Sequence, residues 1–138
     1  MSIKIKYGKE LMKFKAFFET MTHTPLKDCL IDSKSQIVFL VKNGSIGKAI
    51  GKNGKNARGI EAALNRKIKI VEFSPVATEF VKSLISPLKA EISEENNTIL
   101  IHCGDSATRS LLIGRNARNL RNYESITKRY FEKILKVI

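Results

Sequence analysis

The most informative part of the sequence is IGKAIGKNG, residues 46–54. Its first five residues predict a short helix, and residues 51–54 predict a glycine loop that opens a longer helix over residues 55–65. Glycine lets a backbone approach a bound group closely, and the N-terminus of a helix presents unpaired N–H groups and the positive end of its dipole. The loop is therefore a candidate site for an anion such as a phosphate.

Cationic side chains surround this loop at Lys48, Lys52, Lys55 and Arg58. Each could donate charge-assisted hydrogen bonds to phosphate oxygens. A structural corner between two helices, with a solvated basic rim, would carry the same short motif. Other features of the sequence are needed to distinguish a phosphate-binding site from a structural corner.

The loop belongs to an internal repeat. Residues 50–58, IGKNGKNAR, recur 63 positions later as IGRNARNLR, residues 113–121. Every basic position stays basic, and both asparagines are kept. Two further pairs of segments match in the same order: TPLK at 24–27 with SPLK at 86–89, and KIKIV at 67–71 with KILKV at 133–137. The chain is therefore predicted to contain two copies of a unit of about 65 residues.

Both copies predict the order helix, strand, strand, helix, helix, strand. The inward face of the first helix is predicted from apolar residues at helical spacing: Leu11, Phe14, Phe17, Phe18 and Met21. The predicted elements are helix 10–21, strands 26–31 and 36–41, helices 46–50 and 55–65 and strand 67–73, then helix 76–85, strands 88–92 and 98–103, helices 107–113 and 118–130 and strand 132–137. This order is typical of an α+β unit with helices packed on one face of a three-stranded sheet. The predicted domains are residues 1–74 and 75–138.

The chain is strongly basic. Its 138 residues include 25 Lys and Arg against 13 Asp and Glu, a formal net charge of +12. Such a balance suits a polyanionic partner such as RNA or DNA. No apolar stretch approaches the ~20 residues that cross a bilayer, and residues 1–6 have no apolar core of signal-peptide length. We therefore expect a cytoplasmic protein without a membrane partner.

Neither a metal nor a cofactor is expected. Cys29 and Cys103 lie far apart in apolar, strand-like runs, which indicates reduced, half-buried thiols. With only His23 and His102 besides, the sequence contains no metal-ligand spacing.

Catalysis is not expected either. A P-loop needs four residues between its glycines, whereas Gly47 and Gly51 are separated by three. His102, Asp105 and Ser106 are close in sequence, but the pattern indicates a strand end and a helix cap. We therefore expect a binding protein rather than an enzyme.

Residues 41–54, VKNGSIGKAIGKNG, resemble the core of a KH domain. That module clamps about four nucleotides of single-stranded nucleic acid with a GXXG loop. The element order resembles the type II, or prokaryotic, KH arrangement. Two such units in tandem, with IVEFSP at residues 70–75 as the junction, resemble the KH pair of the NusA transcription factors, and the short chain resembles the archaeal form. The resemblance implies two tandem type II KH domains.

The resemblance also implies RNA contacts at both loops. The second loop has Ala117 where the first has Gly54. Because alanine resists positive φ and adds a methyl group where a phosphate would approach, the second loop is expected to bind more weakly or in a shifted register. The implied RNA-binding residues are Lys48, Ile50, Gly51, Lys52, Asn53, Gly54, Lys55 and Arg58 in the first copy, and Ile113, Gly114, Arg115, Asn116, Ala117, Arg118 and Arg121 in the second. The residues expected to floor a base-reading groove, or else to pack in the core, are Ile46, Ile50, Ile60 and Ile113.

The function implied is single-stranded RNA binding in transcription elongation, termination or antitermination. RNA polymerase is then a candidate partner, and a monomer is the expected state. Ribosome assembly, RNA processing and single-stranded DNA binding stay open as alternatives, because one fold serves many functions.

Overall fold

The computed structural model describes the backbone of residues 2–138 and the side chains of residues 8–138. These residues form two compact units, the first ending at Phe73 and the second comprising Ser74–Ile138. Each unit holds helices and one three-stranded sheet, so the predicted α+β class and the repeated element order are confirmed. The elements are α1 (Ser2–Thr22), β1 (Leu26–Ile31), β2 (Ile37–Val41), α2 (Ile46–Ile50), α3 (Lys55–Leu64) and β3 (Ile68–Glu72), then α4 (Ala77–Ile85), β4 (Glu91–Glu95), β5 (Thr98–His102), α5 (Ser106–Ile113), α6 (Arg118–Thr127) and β6 (Ile134–Val137).

In the first unit, β2 is the central strand of the sheet. It pairs antiparallel with β1 and parallel with β3, and all five of its residues are buried. Phe18 of α1 stacks on Phe39 of β2 with ring centroids 4.4 Å apart. Ala49 of α2 and Ile60 of α3 belong to the same core cluster. This packing anchors both helices that flank the glycine loop.

The glycine loop of each unit lies in a crossover connection. Strands β2 and β3 run parallel, as do β5 and β6. A parallel pair cannot be joined by a tight turn, so the chain needs a longer connection between the two strands. In the first unit α2, the loop and α3 form that connection, and in the second unit α5, the loop and α6 do so.

The first helix differs most from its prediction. It begins at Ser2 rather than at residue 10. The prediction missed its first turns because residues 2–7 alternate polar with apolar and therefore show no helical periodicity. Met21 is 39% exposed in the last turn of the helix, so its prediction as a core residue is wrong. The rest of the predicted face is correct, since these residues are buried or pack against the core: Leu11, Phe14, Phe17 and Phe18.

In the second unit, β5 is the central strand, antiparallel to β4 and parallel to β6. Strand β4 begins at Glu91, three residues later than predicted. Its predicted start, Leu88, instead donates its N–H to the Ile85 carbonyl oxygen at 3.0 Å and so belongs to the turn after α4. The predicted inward residues of α4 are all buried: Ala77, Phe80, Val81 and Leu84.

Within residues 2–138, no helix is long and apolar enough to cross a membrane. The part of the chain that the structure describes also contains no group of three or more His, Cys, Asp or Glu side chains placed to hold a metal ion. Cys29 and Cys103 are free thiols. Burial raises the pKa of Cys29 to about 12, so this thiol stays protonated near neutral pH.

Candidate nucleic-acid interface

The first glycine loop is a tight turn with left-handed backbone. Helix α2 ends at Ile50 and is capped by Gly51, with φ 81° and ψ 169°. Asn53 and Gly54 follow with φ 56° and 74°. The Gly54 N–H donates to the Gly51 carbonyl oxygen at 3.1 Å. Because the capping residue of α3 is a glycine, no side chain at that position competes with an anion for the first N–H groups of the helix.

The Asn56 side chain bonds the two helices across the loop. Its Nδ2 donates to the Lys48 carbonyl oxygen at 3.2 Å, which joins the first turn of α3 to α2. A Cβ built on Gly51 would lie 3.0 Å from Asn56 Cγ and Nδ2. Gly51 is therefore required for its φ and also for the space that the Asn56 amide occupies.

Arg58 also contacts the loop. Its Nη1 donates to the Asn53 carbonyl oxygen, and a Cβ built on Gly54 would lie 3.1 Å from the same nitrogen. A guanidinium has five N–H donors, so this contact leaves others for a ligand. Arg58 can therefore brace the loop and face an anion at the same time.

The second loop repeats the geometry of the first. Gly114, Asn116 and Ala117 have φ 73°, 56° and 59°, close to the values at the matching positions of the first loop. The Ala117 N–H donates to the Gly114 carbonyl oxygen at 3.2 Å. Asn119 Nδ2 donates to the Leu111 carbonyl oxygen at 2.8 Å, as Asn56 does to Lys48. Ala117 thus adopts the left-handed backbone of Gly54, and the second loop keeps the register of the first.

The cationic residues predicted from the sequence all lie at the surface. In each unit they flank one loop or the first turn of the helix that follows it, so four surround the first loop and three the second. Their side chains are exposed: Lys48, Lys52, Lys55, Arg58, Arg115, Arg118 and Arg121.

The predicted groove residues differ in burial and packing. Ile60 is fully buried in the core of the first unit, so of its two expected roles it has the core-packing one. Ile46 and Ile113 are half-buried and pack against the cores of their own units. Ile50 is half-buried beside Gly51.

Two kinds of residue that support the loops were not predicted from the sequence. Asn56 and Asn119 each join the two helices that flank a loop. Glu61 Oε2 accepts from Ile68 N at 3.2 Å, and Glu124 Oε2 accepts from Leu135 N at 2.9 Å, which joins the helix after each loop to the last strand of its unit. Each pair recurs at the spacing of the repeat, and that recurrence was the signal available in the sequence.

The polar residues at the start of α5 have structural partners. Asp105 caps the helix: its Oδ1 accepts from Thr108 N at 2.7 Å and its Oδ2 accepts from Thr108 Oγ1 at 3.0 Å. These bonds, that from the Thr108 N–H above all, lower the pKa of the Asp105 carboxyl. His102 Nε2 lies 3.0 Å from Ser93 Oγ. Asp105 thus acts as the predicted helix cap.

The fold and the loop define a class of protein. A small α+β unit that carries a GXXG loop before a helix, within the crossover of its sheet, is a KH domain. The family model described as KH domain matches residues 14–84, about half of the chain.

Archaeal proteins named "Probable transcription termination protein NusA" are similar to this chain over almost its whole length. That of Methanocaldococcus jannaschii is 28% identical over 133 residues, which cover 94% of this chain and 71% of the relative. That of Halobacterium salinarum is 30% identical over 131 residues, 93% of this chain and 94% of the relative. That of Halococcus morrhuae is 26% identical over 133 residues, which cover 94% of this chain and 95% of the relative. The chain belongs to this NusA family of KH-domain proteins.

A solved structure is similar as well. The crystal structure of APE1850 matches with a TM-score of 0.72 and 23% sequence identity, covering 94% of this chain and 98% of that chain. At this identity the likeness supports the fold alone.

Proposed function

We propose that this chain binds single-stranded RNA and carries out no catalytic step. The observation that carries the proposal is the first loop, where the left-handed Asn53 and Gly54 open α3 between the exposed Lys52 and Lys55. A phosphate at the start of α3 would accept backbone N–H bonds and pair with the neighbouring ammonium groups. A single strand suits such a site, because its bases are unstacked and can be reached together with the phosphates.

Both units act as type II KH domains in this proposal, over residues 1–74 and 75–138. The family model covers most of the first unit and the start of the second, residues 14–84. Support for the second unit comes from its element order, from the matching φ values of its loop and from the Asn119 bond.

The cellular role in this proposal is transcription termination or elongation. It is supported by the family, since relatives named as transcription termination proteins match this chain over 94% and 95% of their own length. RNA polymerase is accordingly the proposed protein partner, and a cytoplasmic monomer is the proposed form.

Fluorescence-anisotropy titrations test the RNA proposal. The chain is titrated against labelled single-stranded RNA, duplex RNA and single-stranded DNA of matched sequence at two salt concentrations. We expect tighter binding to single-stranded RNA, which weakens at the higher salt because bound phosphates release counterions. Equal binding to the duplex would contradict the proposal, and a preference for DNA would replace RNA with DNA as the ligand.

Three variants test whether the first loop is the binding site. Asp and Asn have nearly the same shape, and both tolerate the left-handed backbone of Gly54 comparatively well. Gly54→Asp should therefore weaken RNA binding at least about tenfold more than Gly54→Asn, because only the former places a negative charge beside a phosphate. Gly8→Asp is the matched control, since Gly8 is exposed and a Cβ there meets nothing within 4 Å. Equal binding by all three variants would remove the loop from the site.

The transcription role needs a test with proteins. Co-purification of the tagged chain with RNA polymerase from its own source, in extracts treated with ribonuclease, is the expected result. Sedimentation with ribosomal particles in place of the polymerase would support the ribosome-assembly alternative.

A further inference from the structure

The helices that lead into the two loops differ at an exposed position outside the GXXG motif. Asn56 and Asn119 donate equivalent bonds to the carbonyl oxygens of Lys48 and Leu111, so these two residues occupy the same place beside their loops. The Lys48 side chain is exposed. Leu111 is 57% exposed, although its neighbour Leu112 is fully buried in the core. An ammonium group beside the first loop is thus replaced by an uncovered isobutyl group beside the second.

The chemistry of the two side chains is opposite. The ammonium of Lys48 can bind a phosphate but offers little to the face of a base. Leu111 can bind no phosphate, but an apolar side chain can contact the flat, apolar face of a nucleobase and exclude water from it. The loop backbone next to each residue is the same, so the difference lies in the side chain.

The net charges of the two units differ in the same way as these two side chains, with more positive charge in the first unit. Residues 1–74 carry 15 basic and 6 acidic side chains, a net charge of +9, whereas residues 75–138 carry 10 and 7, a net charge of +3. The first unit is therefore better suited to bind a phosphate backbone. The second unit has less charge and needs contacts of another kind to bind with comparable strength.

We infer that Leu111 is a specificity-determining residue that contacts an RNA base, whereas Lys48 contacts the phosphate backbone. The inference rests on the proposed function, because both residues act only if the loops hold RNA. The first unit then supplies salt-dependent affinity that does not depend on the RNA sequence. The second unit supplies selectivity among bases.

An abasic scan tests this division. A short single-stranded RNA that the chain binds is prepared in a series, each member lacking one base while keeping its phosphates. The affinity of each member is measured for the unchanged chain, for Leu111→Ser and for the matched variant Lys48→Ser. Both substituted residues are exposed, and thermal denaturation of each variant confirms that it is folded.

The expected result is a coupling between Leu111 and one base. Removing that base weakens binding to the unchanged chain severalfold and has little further effect on Leu111→Ser, because the contact is already absent. Lys48→Ser weakens binding to every member alike and lowers the salt dependence by about 0.7 in log–log slope. If Leu111→Ser loses the same affinity at every abasic position, or none at any, the inference is wrong. If the unchanged chain binds no single-stranded RNA, the proposed function itself fails, which is a separate and recognisable outcome.

Discussion

Asn56 and Asn119 each join two helices across a glycine loop through one side-chain amide. A hydrogen bond of this kind contributes about 0.5–1.5 kcal/mol. Holding a residue other than glycine or asparagine, such as Ala117, in the left-handed region costs about 1–2 kcal/mol. The two terms are of similar size, so we expect loss of the amide bond to lower the fraction of molecules in which the loop has its binding geometry.

Asn56→Ala should therefore weaken single-stranded RNA binding about threefold to tenfold, because part of the binding energy must then order the loop. Anisotropy measures the affinity, and Asn43→Ala is the control, since Asn43 is an exposed asparagine of the same unit. A lower Tm with unchanged RNA affinity would show that the bond supports the fold and not the loop.

Ala117 has a backbone conformation that its residue type does not predict. Alanine disfavours positive φ, and this preference can be read from the sequence. Ala117 nevertheless has φ 59°, between Gly114 and the Asn119 bond that hold the chain on either side of it. That restraint comes from contacts between helices, and a bond from a side chain to a carbonyl eight residues earlier leaves no pattern in a single copy of the motif.

At the scale of elements, the sequence predicts best where a proline or glycine lies directly beside a short run. Strand β1 and helix α2 have the predicted bounds, because Pro25 and Gly51 lie just outside them. Helix α1 and strand β4 do not. The start of α1 shows no amphipathic period, and the start of β4 is set by its pairing of Glu91 with His102, which is a tertiary contact.

Helix α5 depends on its cap, and it leads directly into the second loop. Asp105→Ala removes the acceptor of the Thr108 N–H and should lower the Tm of the chain at about pH 7. The cap bonds lower the pKa of the Asp105 carboxyl, so its stabilisation is present above the ordinary value of about 3.9 and is lost as the pH falls through the lowered value.

Thermal denaturation of both proteins over a series of acidic pH values measures this effect. The difference in Tm between the unchanged chain and Asp105→Ala should shrink toward low pH. Asp105→Asn should restore most of the Tm without this pH dependence, because asparagine caps as well as aspartate does and does not titrate in this range. A difference that stays constant down to the lowest pH would show that the charge of the cap is irrelevant.

At the scale of the whole molecule, charge sets the response to salt. The net charge of +12 attracts any polyanion at a distance, but only cations that contact phosphates release counterions on binding. The double variant Lys52→Gln, Lys55→Gln should therefore lower the log–log salt slope of RNA binding by about 1.4. The control changes the exposed Lys82 and Lys89 to Gln, which removes the same charge from residues outside the loop segments. Equal slopes for the two double variants would mean that the whole surface, rather than the loop, holds the RNA.

The asparagine bonds also restrict insertions and deletions. Each bond closes a ring of nine residues, from Lys48 to Asn56 and from Leu111 to Asn119, so one residue added or lost inside the ring would carry the amide away from its acceptor. The two copies accordingly keep a spacing of 63 positions throughout the loops, whereas after the helices it lengthens to 66, between Ile68 and Ile134 at the start of β3 and β6. A duplicated segment under this constraint can exchange glycine for alanine or lysine for leucine, but its length is fixed. Gaps in an alignment of related chains should therefore collect on either side of the loops and leave the rings themselves intact.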